Sequence, residues 1–320
     1  MKSLIGVGVL LLVLYATLMT MSEGARSLFN HQKIGREIGF LGLLGLGAGL
    51  VILAGGIDLS LGLVYALAAI CFPLLLEKGW NPWLAAVVVL AGTGFLGSMH
   101  GVLITKLQLQ PFLVTLCGAM MYRGLARWAT WTSGGLSRDM SISGQDVGGL
   151  AIFKNGATIV GVPTPLLVLA GITVLMAVFL HATIYGRYLF AIGSNEQAAR
   201  FAGIATDRYR IAAYAICSLL GGIGGLLNIL DVGGANPSNV GDKEELFAIT
   251  AAVLGGCSLR GGQGTVLGIV IGAATLRLLN SLCDFSGMSS DLYPTVVGLA
   301  LLLGTGLDEY LKRRSAARQT

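Results

Sequence analysis

Ten stretches of the chain contain no aspartate, glutamate, lysine or arginine and are almost continuously apolar. They are Leu4–Ser22, Phe40–Ile57, Leu59–Leu76, Gly79–Thr105, Leu107–Tyr122, Asn155–Gly186, Ile211–Leu230, Leu246–Leu259, Gly261–Leu276 and Leu292–Leu307. A transmembrane helix needs about 20 mainly apolar residues, and the shorter stretches must extend past a charge, tilt or break. Because apolar residues run on rather than alternate, a β-barrel is not indicated. The pattern predicts about ten transmembrane helices in a single domain, 1–320.

The composition agrees with an all-α polytopic membrane protein and excludes other classes. Charged residues make up only 12% of the chain against about 25% in soluble proteins, too few to cover a water-soluble surface. With 54% hydrophobic residues the chain is too apolar for disorder, and 7 prolines without a Gly-X-Y period exclude collagen. Glycine, at 48 of 320 residues, is about twice as frequent as usual, so close helix packing and backbone breaks are expected.

The basic residues lie mainly in short segments between the apolar stretches. This indicates membrane orientation and contact with anionic membrane lipid rather than nucleic-acid binding. The basic tail at Lys312, Arg313 and Arg314 predicts a cytoplasmic C-terminus, and an even number of helices puts the N-terminus there as well. The segment 130–163 is then a long periplasmic loop, and the polar segment 185–210 is a cytoplasmic loop.

The chain carries no residue pattern typical of an enzyme, a metal site or a bound cofactor. The five cysteines and three histidines are scattered, without the spacing of a disulfide framework or a metal site. No Gly-Lys dipeptide occurs, so the Walker A motif that holds ATP phosphates is absent. A nucleophile–base pair at usable spacing is absent as well. We therefore expect no catalysis by this chain, no metal and no cofactor.

The first segment with a chemical signature, Gly55–Gly62, puts an acidic residue and a serine beside two glycines, Gly55 and Gly56. Glycine permits left-handed backbone and close approach, and non-helical backbone inside a membrane occurs only where protein or water satisfies it. The segment therefore predicts a broken helix or a tight turn. Asp58 either caps the next helix or, with Ser60, lines a translocation path, and the two roles are compatible.

The second segment, Ala191–Ile204, predicts a short surface helix of about two turns. Asn195 is a typical N-cap, Glu196 suits the first turn near the positive helix end, and Gly203 is a typical C-terminal stop. The helix is either a connector or a docking site for a cytoplasmic partner. The residues expected at such a docking site are Gly193, Asn195, Glu196, Ala198, Ala199, Arg200, Phe201 and Gly203, with the two alanines forming a smooth face.

The third segment, Val253–Thr265, is rich in glycine and carries one basic residue. Its signature residues are Gly255, Gly256, Arg260, Gly261 and Gly262. It does not match a phosphate loop, so it is interpreted as a tight cytoplasmic turn with close helix packing, or else as a contact with a partner through Arg260. Residues 55–62 and 255–262 both fit Gly-Gly-x-x-Leu-x-x-Gly. Either an internal repeat or coincidence in a glycine-rich chain explains that match.

In this order, the three segments resemble the permease subunits of bacterial ATP-binding-cassette importers for sugars, of the ribose type. Gly55–Gly62 is similar to the family's G-G-I-D-L-S-x-G, and Ala191–Ile204 to its A-x-G-x-N-x-x-A-A-x-x-x-G-I. Gly255–Gly268 is similar to the family's G-G-x-S-L-x-G-G-x-G-x-x-x-G. The resemblance covers about residues 38–308.

The resemblance implies a vitamin-B12-importer-like (type II) permease fold, with about ten helices per subunit, in the bacterial inner membrane. It implies three protein partners: an ATPase subunit that docks on Asn195–Ile204 as a coupling helix, a periplasmic sugar-binding protein, and a second permease copy or paralogue. The expected cargo is a monosaccharide, ribose-like or another pentose or hexose. ATP hydrolysis in the partner would drive its import.

The alternative is an ion-coupled secondary transporter or channel for a small polar solute. Such a protein would carry ionisable residues buried inside its spans, and Asp58 and Arg277 are the main candidates. Glu244, Glu245 and Arg277 lie near or within apolar stretches. They either form a pair inside the bundle or extend to the membrane surface.

Overall fold

The computed structural model describes residues 2–131, 137–289, 292–299 and 302, and most of these residues are helical. The α-helices are α1 (Lys2–Met21), α2 (Glu23–Arg26), α3 (Leu28–Leu53), α4 (Leu61–Glu77), α5 (Pro82–Lys106), α6 (Pro111–Ala129), α7 (Thr164–Ala182), α8 (Ile184–Ser194), α9 (Glu196–Phe201), α10 (Thr206–Val232), α11 (Glu244–Leu254) and α12 (Val266–Phe285). A 3-10 helix spans Gly148–Phe153, and residues 293–299 are helical.

The helices follow the predicted apolar stretches. Among the described residues, α3, α5, α7, α10 and α12 are long and apolar enough to cross a membrane, and α4 and Ile5–Met21 of α1 are shorter apolar helices. The prediction of a mostly helical, polytopic membrane protein is confirmed, whereas the total of ten spans stays a prediction. Most of the tenth stretch, 292–307, and the basic tail at 312–314 lie outside the described residues.

Two predicted segments contain structure that the sequence did not reveal. The apolar stretch Asn155–Gly186 overlaps the predicted loop 130–163, and its first residues form the antiparallel pair β2 (Thr158–Ile159) and β3 (Val162–Pro163), so that α7 begins only at Thr164. Val160, with φ +52°, lies in the turn between these strands, and an apolar residue gives no signal for such a turn. The segment 185–210 is not a loop, since it consists of most of α8, all of α9 and the start of α10.

The central helix is α3, most of which is buried against α7, α10, α11 and α12. A Cβ at Gly39 would lie 2.5 Å from the backbone of α7, and one at Gly47 would lie 3.1 Å from the backbone of α10. A Cβ at Gly49 would collide with Ile269 of α12. The glycines of α3 therefore let neighbouring helices approach more closely than side chains would allow.

The outer faces of α1, α5, α6 and α7 carry large exposed apolar side chains, such as Val13, Phe95, Met120 and Leu175. Such faces suit contact with lipid hydrocarbon rather than water. All five cysteines are free thiols, as their scattered positions predict.

The bundle has two ends, which we name by their contents. The junction end holds the C-terminal ends of α3, α5 and α8, together with α9, the start of α10 and the loop between α11 and α12. The loop end holds residues 137–163 and the C-terminal ends of α4 and α10. There Arg138 pairs with Glu77 of α4, and Asn155 N donates to Leu230 O of α10 at 3.0 Å.

Two helices, α4 and α11, begin inside the bundle rather than at one of its ends. α11 has only 11 residues, about 16 Å, which is roughly half of a ~30 Å hydrocarbon layer. The N-terminal ends of the two helices meet, because a Cβ at Gly62 would lie 2.6 Å from Gly241 O and would collide with the Glu245 carboxylate. The irregular segment 54–60 therefore connects the end of α3 to a helix that starts inside the bundle.

Candidate functional site: the junction end and a buried polar network

Three glycine-containing turns meet at the junction end. Gly55 follows α3, Gly193 lies in the last turn of α8, and Gly261 and Gly262 lie between α11 and α12. A Cβ at Gly261 would lie 2.7 Å from Gly193 O and 3.0 Å from Gly55 Cα, and Gly262 N donates to Leu53 O at 3.0 Å. We call these four residues the glycine junction. The three segments that the sequence analysis identified separately thus contact one another.

Glycine is required in the junction for two reasons. Gly55, Gly261 and Gly262 have φ of +78°, +87° and +70°, in the left-handed region that favours glycine. Gly193 is helical, but a side chain there would collide with Leu53 O and Gly262 N. The junction therefore joins the ends of α3 and α8 to the α11–α12 loop through backbone contacts.

The rest of the glycine-rich turn holds α11 against α12. A Cβ at Gly255 would collide with Gly268 O, and Gly256 has φ +97°. Burial raises the pKa of the Cys257 thiol to about 12, so this thiol stays protonated and unreactive. Arg260 is exposed and makes no ion pair among the residues described, so its basic side chain is free to contact a partner.

The short helix α9 is capped at both ends. Asn195 Oδ1 accepts a hydrogen bond from Ala198 N at 2.9 Å, as expected of an N-cap. Gly203, which follows the helix, has φ +81°, as expected of a C-terminal stop. α9 is therefore a short helix with a defined start and end.

The two alanines of α9 face different ways. Ala198 is exposed, whereas Ala199 is only 5% exposed. The prediction that the two alanines form one smooth face is wrong, because successive residues of a helix point about 100° apart. The outward face instead carries Ala198 and, three residues later, Phe201, whose side chain is 92% exposed.

Five charged side chains fasten α9 to α5 and α10. Arg200 Nη2 lies 2.8 Å from Asp207 Oδ1 and 3.1 Å from Glu196 Oε1. Arg210 Nη1 lies 2.9 Å from Glu196 Oε2, and Lys106 Nζ lies 2.7 Å from Asp207 Oδ2. Each carboxylate is shared by two basic side chains, and such a network holds a helix more firmly than one exposed pair does.

Asp58 lies in a buried polar network inside the bundle and is only 1% exposed. Its Oδ1 accepts hydrogen bonds from Ser60 N at 2.8 Å and Ser60 Oγ at 2.6 Å. Ser60 Oγ lies 3.3 Å from His100 Nδ1, and His100 Nε2 lies 2.8 Å from the Tyr122 hydroxyl. Asp58 Oδ2 is buried and has no hydrogen-bond partner among the described residues, and the Cys217 thiol lies beside the carboxyl group. An under-satisfied carboxylate is costly at such a site, which makes the network a functional candidate.

Asp58 does not cap α4 in the predicted way. Ser60 is itself the N-cap residue, and Asp58 bonds to Ser60 instead of to the free N–H groups of the following turn. The carboxylate thus stabilises the irregular backbone before the helix. Tyr214 of α10 contributes by donating its hydroxyl to Ile57 O at 3.4 Å.

Residues 33–305 match the family model described as "Branched-chain amino acid transport system / permease component". The chain belongs to this permease family. Like the members of that family, the permease is a multi-pass protein of the bacterial inner membrane, in agreement with its apolar helices.

The permease is similar in sequence to import permeases that carry sugar names. It is 34% identical to the ribose import permease protein of Escherichia coli, over 96% of this chain and 92% of the relative. It is also 34% identical to the ribose import permease protein of Bacillus subtilis, over 87% of this chain and 84% of the relative. The fructose import permease protein of Bifidobacterium longum is 31% identical, over 82% of this chain and 72% of the relative. No solved structure matches. The resemblance to ribose-type permeases is thereby confirmed.

Arg277, a charged residue within a span of the permease, is paired rather than extended to the surface. Arg277 Nη2 lies 3.2 Å from Glu244 Oε2, and both side chains are largely buried. Of the two alternatives, the pair inside the bundle is the one that forms. Glu245 stays outside this pair, and its Oε2 is buried without a hydrogen-bond partner among the described residues.

Sequence reasoning missed several residues of the site. His100 was available as a signal, because it is a histidine inside the apolar stretch Gly79–Thr105. Tyr122 and Arg210 gave no such signal, since each ends or borders an apolar stretch as ordinary interface residues do. Their contacts with His100 and Glu196 depend on helix packing that the sequence does not reveal.

We expect Asp58→Ala to lower the melting temperature of the purified permease and Asp58→Asn to leave it nearly unchanged. Alanine removes the acceptor of the buried Ser60 N–H, and an unsatisfied buried group costs about 1–3 kcal/mol. Asparagine keeps an oxygen that accepts the same bonds. Thermal unfolding in detergent measures the difference.

Asp146→Ala is the matched control for this prediction. Asp146 Oδ1 accepts a hydrogen bond from Gly148 N, also at 2.8 Å and two residues ahead, but Asp146 is exposed to solvent. Its loss should change the melting temperature little, because water replaces the bond. Equal effects of the two alanine variants would contradict a structural role for the buried carboxylate.

Proposed function

We propose that the permease is the transmembrane subunit of an ATP-driven importer and that its cargo is a monosaccharide, ribose-like or another pentose or hexose. The observation that carries this proposal is the similarity to ribose import permeases of two bacteria over most of the chain. The family description mentions branched-chain amino acids, but the similar permeases are named for ribose and fructose. A sugar is therefore the favoured cargo.

The energy for import would come from a separate ATPase subunit, because the chain contains no Walker A motif. We assign the docking of that subunit to α9. Its outward residue Phe201 is 92% exposed and can therefore contact a partner. Both caps and the ion-pair network fix the orientation of the helix. Aromatic side chains are frequent anchors of protein interfaces. Arg260 lies at the same end and adds a basic contact.

This assignment sets the orientation and the other partners in the proposal. The junction end faces the cytoplasm, with both termini on that side, and residues 137–163 face the periplasm. A sugar-binding protein would dock on the loop end and deliver the cargo. A second permease copy or paralogue would complete the pore, in a vitamin-B12-importer-like (type II) arrangement.

Two routes connect α9 to the interior of the bundle. The first is the ion-pair network, which ends on α5 and α10. These helices also supply His100 and Tyr214 to the segment that contains Asp58. The second is the glycine junction, in which Gly193, two residues before the cap of α9, contacts the backbone at Gly55. Movement of α9 by the ATPase would therefore act on the broken helix, as alternating access requires.

One observation favours a second candidate function, an ion-coupled secondary transporter. Asp58 is a buried acid with an under-satisfied oxygen, and through Ser60 it reaches His100, a second titratable group. Chains of this kind hold protons in proton-coupled transporters.

Proteoliposomes that contain the permease, an ATPase subunit and a binding protein encoded in the same genome test both candidates. We expect uptake of ribose or a related sugar that requires all three proteins and ATP, and no ATP hydrolysis by the permease alone. Leucine serves as the comparison solute for the branched-chain family name. Uptake by the permease alone, driven by a proton gradient, would refute the ATP-driven importer and favour the second candidate.

A further inference from the structure

A groove between α4 and α5 opens on the outer surface of the bundle. Its volume is about 460 Å³, and one face of each helix lines it, with residues such as Leu67, Leu74 and Phe95. The hydroxyl of Thr93 is already satisfied, because it donates to Leu90 O at 2.9 Å. The wall of the groove is therefore apolar, as expected of a site for hydrocarbon.

One end of the groove carries a positive charge. Lys78 follows the last residue of α4 at the loop end, belongs to the groove lining and is exposed. It makes no ion pair with any residue that the structure describes. Trp80 and Trp83 follow and are exposed, and tryptophan is enriched at the level of the lipid headgroups. The Lys78 ammonium is thus positioned at headgroup depth.

The dimensions of the groove decide what fits inside it. From Leu67 to Lys78 the α4 wall is about 16 Å long, so the mean cross-section of the groove is about 28 Å². An α-helix with its side chains is about 10–12 Å across and needs roughly three times that area. A single hydrocarbon chain fits inside the groove, whereas a helix of a second copy could lie only across its mouth.

We propose that this groove binds one acyl chain of an anionic phospholipid whose phosphate pairs with Lys78, in the leaflet at the loop end. Burial of the chain against the apolar walls holds the lipid, and Lys78 selects a negatively charged headgroup over a zwitterionic one. A single lysine at the membrane surface contributes about 1 kcal/mol to the binding of an anionic lipid, which corresponds to about a fivefold preference over a zwitterionic lipid. The site is independent of the proposed cargo and energy source.

Native mass spectrometry of the purified, full-length permease tests the proposal. The protein is incubated with phosphatidylglycerol and phosphatidylcholine that carry identical acyl chains, and the lipid that stays bound is counted. We expect about a fivefold preference for phosphatidylglycerol in the native protein. Lys78→Gln should remove the preference without removing the lipid. Gly92→Leu should reduce retention of both lipids, because a Cβ at Gly92 meets no atom within 4 Å and the new side chain enters the groove.

Two matched variants control for general effects on lipid binding. Gly94→Leu makes the same change on α5, also in open space but outside the groove lining. Arg127→Gln removes another exposed basic side chain near the loop end. Both should bind lipid as the native protein does.

Three results would overturn the proposal. One is an unchanged headgroup preference in Lys78→Gln. Another is equal loss of lipid in Gly92→Leu and Gly94→Leu. The third is a disulfide formed in native membranes between the Cys71 residues of two copies, since Cys71 lines the groove and such a bond would assign the groove to a second copy.

Discussion

Gly193→Val is expected to abolish uptake by the assembled importer and to lower the melting temperature of the purified permease. A Cβ at this position would collide with Leu53 O and Gly262 N, the two atoms that share the 3.0 Å hydrogen bond of the glycine junction. Backbone atoms in a packed turn cannot move aside as a flexible side chain can. α8 must therefore shift away from the end of α3, and α9 moves with it.

The expected size of the effect follows from packing energies. Overpacking costs about 1–3 kcal/mol, and loss of the hydrogen bond adds about 1 kcal/mol. Together these lower the free energy of unfolding by about 2–4 kcal/mol, and displacement of α9 should reduce uptake in proteoliposomes to background. Thermal unfolding in detergent measures the change in stability.

Gly171→Val is the matched control for the glycine junction. Gly171 lies inside the membrane-spanning helix α7, and a Cβ there meets no atom within 4 Å. The same β-branched side chain is thus added to a helix without a collision, so native uptake and melting temperature are expected. If Gly193→Val behaved like Gly171→Val, the close contact at the junction would be refuted.

The fold was predictable where it depends on hydropathy and not where it depends on turns. The apolar stretches predicted helices because a bilayer requires long apolar segments with satisfied backbone groups. The boundary at Thr164 was predicted as the end of the loop 130–163. The strand pair before it was missed, because Val160 is apolar and its left-handed conformation comes from the strands around it. The start of α4 inside the bundle was visible only as Gly55–Ser60, a set of residues that suggests a break but not its depth.

The site was predictable one segment at a time. Asn195 and Gly203 mark the ends of α9 because capping is a local interaction, and the structure has both caps where the sequence suggests them. Contacts between segments were not predictable. Neither the approach of Gly261 to Gly193 nor the burial of Ala199 follows from local sequence, because each depends on how distant helices pack.

Phe201→Ala is expected to abolish uptake while leaving the permease as stable as the native protein. The side chain is 92% exposed, so its removal costs the fold no more than about 0.5 kcal/mol. If Phe201 is the anchor of the ATPase contact, its loss costs about 2 kcal/mol or more of binding, a drop of about thirtyfold in affinity. Pull-down of the ATPase subunit and uptake in proteoliposomes measure the two consequences. Ala198→Glu, which adds a charge on the same face, should act in the same way.

Phe29→Ala separates docking from a general effect of losing an exposed aromatic side chain. Phe29 is 72% exposed but lies near the start of α3, far along the chain from α9 and close to the loop end. Its replacement should leave ATPase binding unchanged. Gly193→Val and Phe201→Ala then form a diagnostic pair, because both stop uptake but only the first lowers the melting temperature. Native ATPase binding by Phe201→Ala would exclude this side chain as the anchor. Arg260 would then be the next residue to replace, since it is an exposed basic side chain of the neighbouring turn.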